Sequence, residues 1–263
     1  MNPPDLSLLA SGEGPSATPD SSAPPGDAAP DAAPAGEAPD AGRISTVDSG
    51  PPNLCPERSD ALFCDGFEDA SFSRWSYPVI TNGSVEQSTA FARSGTGSMH
   101  ASTGSPGANN FARYAARAFD HQRSGEIWLR SYYYLPSTSY VTTTFSTAVV
   151  SEIEPPYFGF SLVVGAARVE IGALDKLYPG TLAFPRDHWT CVELHVTIDP
   201  AQGVLEAYLD GQLAARSPAI DTQPDQGYTV LDAGIHYTDV AQGPVEVYVD
   251  DVVAGNLRVG CDS

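Results

Sequence analysis

Trp189-Thr-Cys-Val-Glu-Leu-His-Val-Thr-Ile-Asp-Pro-Ala-Gln-Gly-Val-Leu-Glu-Ala-Tyr-Leu-Asp-Gly-Gln-Leu-Ala-Ala-Arg216 is the stretch that decides the fold class. Val192, Leu194, Val196 and Ile198 alternate with Glu193, His195 and Thr197, so an extended chain here has one apolar and one polar side. Pro200–Gly203 and Asp210-Gly211 interrupt the pattern as tight turns, which gives a three-stranded meander. Outward from this block the same signals recur. Gly125–Leu135 reads as a long strand stopped by Pro136, and residues 157–164 and 167–174 read as a pair around Gly165. Val245–Val253 reads as a last strand burying Val245, Val247 and Val249, and Asn82-Gly83 as a type I′ hairpin turn. Only residues 112–118 carry a marginal helical period. The expectation is an all-β chain, an antiparallel β-sandwich or barrel.

Composition divides the 263 residues in two. Residues 1–53 hold 11 prolines, no aromatic residue, and eight acidic side chains against one basic, Arg43. Such a segment cannot bury enough apolar surface to offset its ordering entropy, so it is expected to be a disordered Pro/Ala/Asp-rich tether. Residues 54–263 suit one all-β domain. The leader carries −7 of the net charge of −20, leaving −13 on the domain. With Lys176 as the single lysine, neither nucleic-acid phosphates nor an anionic membrane is an expected partner. No run approaches the roughly 18 apolar residues of a membrane span, and 24 Gly and 23 Pro rule out a coiled coil.

Cys55, Cys64, Cys191 and Cys261 lack the paired spacing of a zinc site. Of three possible connectivities, a local Cys55–Cys64 bond and a long-range Cys191–Cys261 bond near the chain end make physical sense; four free thiols are the alternative. Disulfides imply export, yet Met1–Ala10 shows neither the basic nor the apolar part of a signal peptide. A secreted or surface-tethered protein whose start lies upstream of Met1 reconciles the two.

Several motifs, in order, carry a resemblance. They are Cys64-Asp-Gly-Phe-Glu68 followed by Trp75, Gly95-Thr-Gly-Ser98, Trp189-Thr-Cys-Val-Glu193, the Asp210-Gly211 turn, Val249-Asp-Asp-Val-Val253 and Arg258-Val-Gly-Cys261. Together they resemble the jelly-roll domains of the concanavalin A-like lectin/glucanase superfamily, of the LamG-like kind found in bacterial exported proteins. The resemblance covers most of residues 62–262. It implies two antiparallel sheets, one concave, with sugar chains often lying across the concave face. The superfamily mixes lectins, glycosidases, lyases and inert spacers, so no activity follows from it.

Three constellations could carry chemistry. Glu193 and His195 share a strand face, and Arg130 with Tyr132–Tyr134 could complete the acid, base and charge neutraliser of a polysaccharide lyase. The lyase branches of the superfamily carry an Arg/Glu-rich strand, a Gln-Ile-His type triplet and a lysine-containing Tyr motif, whereas here the middle region reads Val150-Ser-Glu-Ile-Glu154 and Lys176 is the single lysine. Glu152 and Glu154 share a face, but Pro155-Pro156 ends the strand before the third acid of a jelly-roll glucanase. Asp65, Glu68, Asp250 and Asp251 come from the first and last strands; of these Glu68 and Asp251 are the expected ligands of a structural Ca²⁺, with an edge-strand role for the Asp pair as the alternative. Trp128, Arg130, Tyr132 and Tyr134 share one side of their strand, where rings could stack on sugars, and His236 could line the same groove.

The preferred reading is a monomeric, exported, lectin-like domain that binds extracellular carbohydrate without turnover, through Trp128, Arg130, Tyr132, Tyr134, Glu193, His195 and His236. The first alternative is a polysaccharide lyase acting on a uronate-containing glycan, using His195, Glu193 and Arg130. The second is an envelope adhesion domain that contacts protein.

Overall fold

The computed structural model describes residue 55 and residues 61–106, 110–152, 158–173 and 176–261. Glu154, Tyr157 and Leu174, and the leader expected to be a tether, lie outside the described residues. In chain order the strands are β1 Phe63–Asp65, β2 Tyr77–Thr81, β3 Gly83–Ser88, β4 Ser98–Thr103, β5 Phe111–Gln122, β6 Gly125–Tyr134, β7 Thr144–Ser151 and β8 Gly159–Gly165. They continue as β9 Val169–Ala173, β10 Lys176–Pro179, β11 Trp189–Ile198, β12 Val204–Leu209, β13 Gln212–Arg216, β14 Tyr228–Ile235, β15 Tyr237–Thr238 and β16 Glu246–Gly255.

Two antiparallel sheets result. Sheet A runs β13-β12-β11-β6-β16-β4-β3, with β1 added along β16, and sheet B runs β10-β9-β8-β7-β14-β5-β2, with β15 added along β7. The alternation that the sequence displays sets which side of each strand enters the sandwich. Val192, Leu194, Val196 and Ile198 of β11, Ile127, Leu129 and Tyr133 of β6, and Val247 and Val249 of β16 line the core from sheet A. Phe145 and Val150 of β7, Phe160, Leu162 and Val164 of β8, and Leu231, Ala233 and Ile235 of β14 line it from sheet B.

The β11–β12–β13 meander and the β8–β9 pair form as expected. At the Asp210-Gly211 turn both residues have positive φ, +47° and +77°, as a type I′ turn requires. Asn82-Gly83 does something else. Thr81 pairs with Phe111 in sheet B while Ser84 pairs with Ser102 in sheet A, so this turn carries the chain between sheets and makes no hairpin. A Cβ on Gly83 would lie 2.4 Å from the Ser102 carbonyl oxygen, which is why glycine stands there. Residues 112–118, with their marginal helical period, form the middle of β5, where Ala112 and Ala116 face the core. Asp250 and Asp251 do not blunt an edge, because β16 lies between β6 and β4 in the middle of sheet A.

Both cysteine pairs form the expected bonds, Cys55–Cys64 and Cys191–Cys261. Trp75 is buried in the core, and its indole N–H donates to Asp65 at 2.6 Å.

Candidate functional site

On β6 and β11, side chains that point away from the core lie in cross-strand register: Glu193 opposite Arg130, and His195 opposite Trp128. Their rings meet, since Trp128 and His195 stack with centroids 3.9 Å apart and planes 12° from parallel. His195 Nδ1 lies 2.9 Å from Glu206 Oε2 on β12, which also accepts from the Tyr208 hydroxyl at 3.0 Å. Partial burial pushes the Glu206 carboxyl up, but the His195 and Tyr208 hydrogen bonds outweigh it and hold the group below its ordinary value. The sequence therefore grouped Trp128, Arg130, Glu193 and His195 as the fold does.

These residues do not line an open groove. Arg130 and Glu193 are each 1% exposed, and Trp128, Tyr132 and His195 are buried. The chain after β16 turns back and lies over them. Arg258 grips Glu193 with two hydrogen bonds, 3.1 and 2.7 Å, and its guanidinium sits 5.1 Å from the Trp128 ring and 4.4 Å from that of Tyr208. Cys261 bonds to Cys191, and its carbonyl accepts from the Tyr132 hydroxyl. From the other side Arg93 lies 3.6 Å over the Tyr132 ring. Burial pushes the Tyr132 phenol up.

Arg93 belongs to a turn that the acidic residues hold. Asp250 accepts from the backbone N–H of Arg93 at 2.8 Å and of Ser94 at 3.2 Å. Asp251 accepts from the Arg93 guanidinium and the Ser94 hydroxyl, both at 2.7 Å. A bulge in β16, with Asp251 at φ +49°, turns both carboxylates toward this turn. Burial, with the Asp251 charge beside it, pushes Asp250 up to about 8. Glu68 holds the same turn further on, accepting from the Thr96 N–H at 2.9 Å and its hydroxyl at 2.7 Å. The carboxylates expected to ligate calcium thus meet protein donors, and no group of three His, Cys, Asp or Glu side chains placed to hold a metal occurs among the described residues. Glu152 is likewise occupied, accepting from the N–H groups of Gly227 and Phe158 at 3.0 and 3.3 Å.

The remaining two predicted residues lie elsewhere. Tyr134, at the end of β6, is half-buried beside Trp189. His236 follows β14 in sheet B, so it shares no groove with Trp128.

Around His236 the outer face of sheet B gathers a second polar cluster. Arg113 of β5 pairs with the buried Asp232 of β14 and meets His236 Nδ1, which in turn lies 2.8 Å from Asp232 Oδ2. Burial, and then the Arg113 charge, push His236 well below its ordinary value, so its imidazole is neutral at neutral pH. Burial also lowers Arg113, to about 10, opposed by the Tyr77 phenol nearby. Through Asp232 runs a cross-strand row of mostly small residues: Tyr77, Ala115, Asp232, Val149, Ser161, Gly172 and Leu177. Its middle is buried, Ser161 and Gly172 are half-exposed, and Leu177 is exposed. Sequence reading missed Arg113, Asp232 and Tyr77. The signal available was Asp232, a lone acid inside the apolar run Tyr228–Ile235.

No protein-family model matches the chain, and no curated protein matches it by sequence. Solved structures do. An endo-β-1,4-glucuronan lyase from the fungus Trichoderma reesei superposes with a TM-score of 0.62 at 14% identity, over 75% of this chain and 96% of that one. A cellulose-induced protein gives 0.58 at 18%, over 76% and 99%. An alginate lyase from a Chlorella virus gives 0.50 at 9%, over 70% and 94%. At these identities the likeness is one of fold, and with the sheet order described above it makes this domain a jelly-roll β-sandwich of the concanavalin A-like fold.

Proposed function

We propose that the protein binds an extracellular polysaccharide across the outer face of sheet B, centred on Arg113 and His236. The observation that carries this reading is the Arg113–Asp232–His236 cluster set in a row of small side chains. Arg, His and Ser groups can meet sugar hydroxyls there, while half-exposed Ser161 and Gly172 leave room for a ring to approach the sheet. The similar solved proteins that are lyases of glucuronan and alginate support a carbohydrate partner. Two disulfides support an extracellular one.

A second reading is favoured by the neutral imidazole of His236. β-Elimination needs a base for the proton next to a uronate carboxylate, a cation facing that carboxylate and an acid for the leaving oxygen. His236, Arg113 and Tyr77 supply those three types of group, whereas His195, Glu193 and Arg130 lie beneath the chain end. The domain's charge of −13 works against holding a polyanion.

Affinity electrophoresis through gels containing a panel of polysaccharides, with the mixtures assayed for new sugar ends, tests both readings. The binding reading expects retardation, no new ends, and loss of retardation on Ser161→Trp, which fills the row. New ends carrying the ultraviolet absorbance of a C4–C5 double bond, lost on His236→Gln, would replace it by the lyase. Neither retardation nor new ends from any polymer would overturn both.

A further inference from the structure

Sheet A carries a second surface, away from the residues sealed by the chain end. Trp189 of β11 lies opposite Tyr134 of β6, Tyr134 opposite Tyr248 of β16, Tyr248 opposite His100 of β4, and His100 opposite Glu86 of β3. Four rings and a carboxylate therefore stand in one row across five adjacent strands. At about 4.8 Å per strand the row is about 19 Å long. The rings touch in sequence: Trp189 to Tyr134 at 5.8 Å, Tyr134 to Tyr248 at 6.1 Å, and Tyr248 stacked on His100 at 4.4 Å. Phe91 packs on Tyr134 and Tyr248 at 5.0 and 4.8 Å and remains 39% exposed. Trp189, Tyr134, Tyr248 and His100 are all half-exposed.

A polar row runs beside the rings. Glu246 lies opposite Ser102, and Ser102 opposite Ser84, with the two serine hydroxyls 2.9 Å apart. Glu246 and Glu86 flank the His100 ring at 3.0 and 3.3 Å. The surface thus alternates ring faces with hydroxyl and carboxylate oxygens, a pattern that matches a sugar, which offers C–H faces to rings and hydroxyl donors to oxygen acceptors. The two carboxylates, on a domain of net charge −13, select against an anionic polymer.

We propose that the Trp189–Tyr134–Tyr248–His100 row is a binding platform for a neutral polysaccharide chain. It lies on the sheet opposite the Arg113–His236 cluster and does not depend on that cluster's function. A protein with both surfaces would join two glycans, or two segments of one, across the thickness of the sandwich.

The test is affinity electrophoresis of the full chain in gels containing hydroxyethyl cellulose, mixed-linkage β-glucan or galactomannan. Wild type is expected to be retarded by at least one. Trp189→Ala and Tyr248→Ala should each weaken retardation about tenfold, whereas Trp189→Phe, which keeps a ring and guards against misfolding, should preserve most of it. Tyr140→Ala, at a ring 74% exposed and outside both surfaces, should leave it unchanged. No retardation of wild type by any of the three polymers would overturn the proposal. So would retardation that survives both Trp189→Ala and Tyr248→Ala, or that is lost only with Ser161→Trp. Concentration-dependent dimerisation abolished by Trp189→Ala, without glycan retention, would instead make the row a contact between two copies of the chain and equally overturn it.

Discussion

The outer faces of the two sheets carry the same kinds of side chain in different surroundings. On sheet A an arginine, a glutamate, a histidine and a tryptophan are locked under the chain end by Arg258 and the Cys191–Cys261 bond. On sheet B an arginine, an aspartate and a histidine sit in a row that runs out to half-exposed Ser161 and exposed Leu177. A cluster of polar and aromatic residues in one register therefore does not define a binding site. What decides is whether another part of the chain already occupies the space above it.

The strongest way to break that contrast is to remove the bond that pins the chain end. The Cys191–Cys261 disulfide closes a loop of 70 residues, and its loss, in Cys191→Ser with Cys261→Ser, should cost about 4 kcal/mol by loop entropy. Urea unfolding measures the cost. Quenching of tryptophan fluorescence by acrylamide should rise as Trp128 is uncovered; unchanged quenching would mean that the seal holds without the bond.

Next in size is an asymmetry across one ion pair. Arg258→Ala leaves the buried Glu193 without its two donors and should cost about 2 kcal/mol. Glu193→Gln should cost less, because the Arg258 side chain is 41% exposed and can return to water. The reverse order in urea midpoints would show that the arginine, and not the carboxylate, is the group that burial penalises.

Sheet B should respond to acid. His236 titrates below its ordinary value in the folded protein, so between that lowered value and about 6.5 the unfolded chain binds the extra proton. Stability from this group is intact above 6.5 and falls as pH drops, by up to about 1.4 kcal/mol per pH unit. His236→Gln should flatten that part of a stability–pH profile; a slope that survives the change would assign it to other groups. The smallest effect concerns calcium. With Glu68 and Asp251 taken up by donors from Arg93, Ser94 and Thr96, a chelator should move Tm by less than about 1 °C. A larger drop on chelation, restored by calcium, would show that these carboxylates serve the ion after all.

Much of the fold was legible because strand periodicity is local. The strict alternation of Val192 to Ile198 placed β11 and its core face, and the Asp210-Gly211 turn appeared where its positive φ angles demand. Asn82-Gly83 carried an equally strong turn signal and misled, because a turn of that shape can join strands of one sheet or pass between two. The candidate site was legible only in part. Glu193 and His195 were rightly placed on one face, yet Arg258, 65 residues from Glu193, closes that face. Arg113 and Asp232 escaped notice because they are 119 positions apart and neither lies in a motif.

The sequence alone determined the all-β class and the apolar side of the long strands, since each rests on residue spacing within a strand. Tertiary structure alone decided that His236 lies across the sandwich from Trp128, that Asp250 and Asp251 sit in a central strand, and that the chain end covers Glu193 and His195. Alternation says which residues share a face. Whether that face meets water depends on what packs over it, and such contacts come from parts of the chain whose separation no local period encodes.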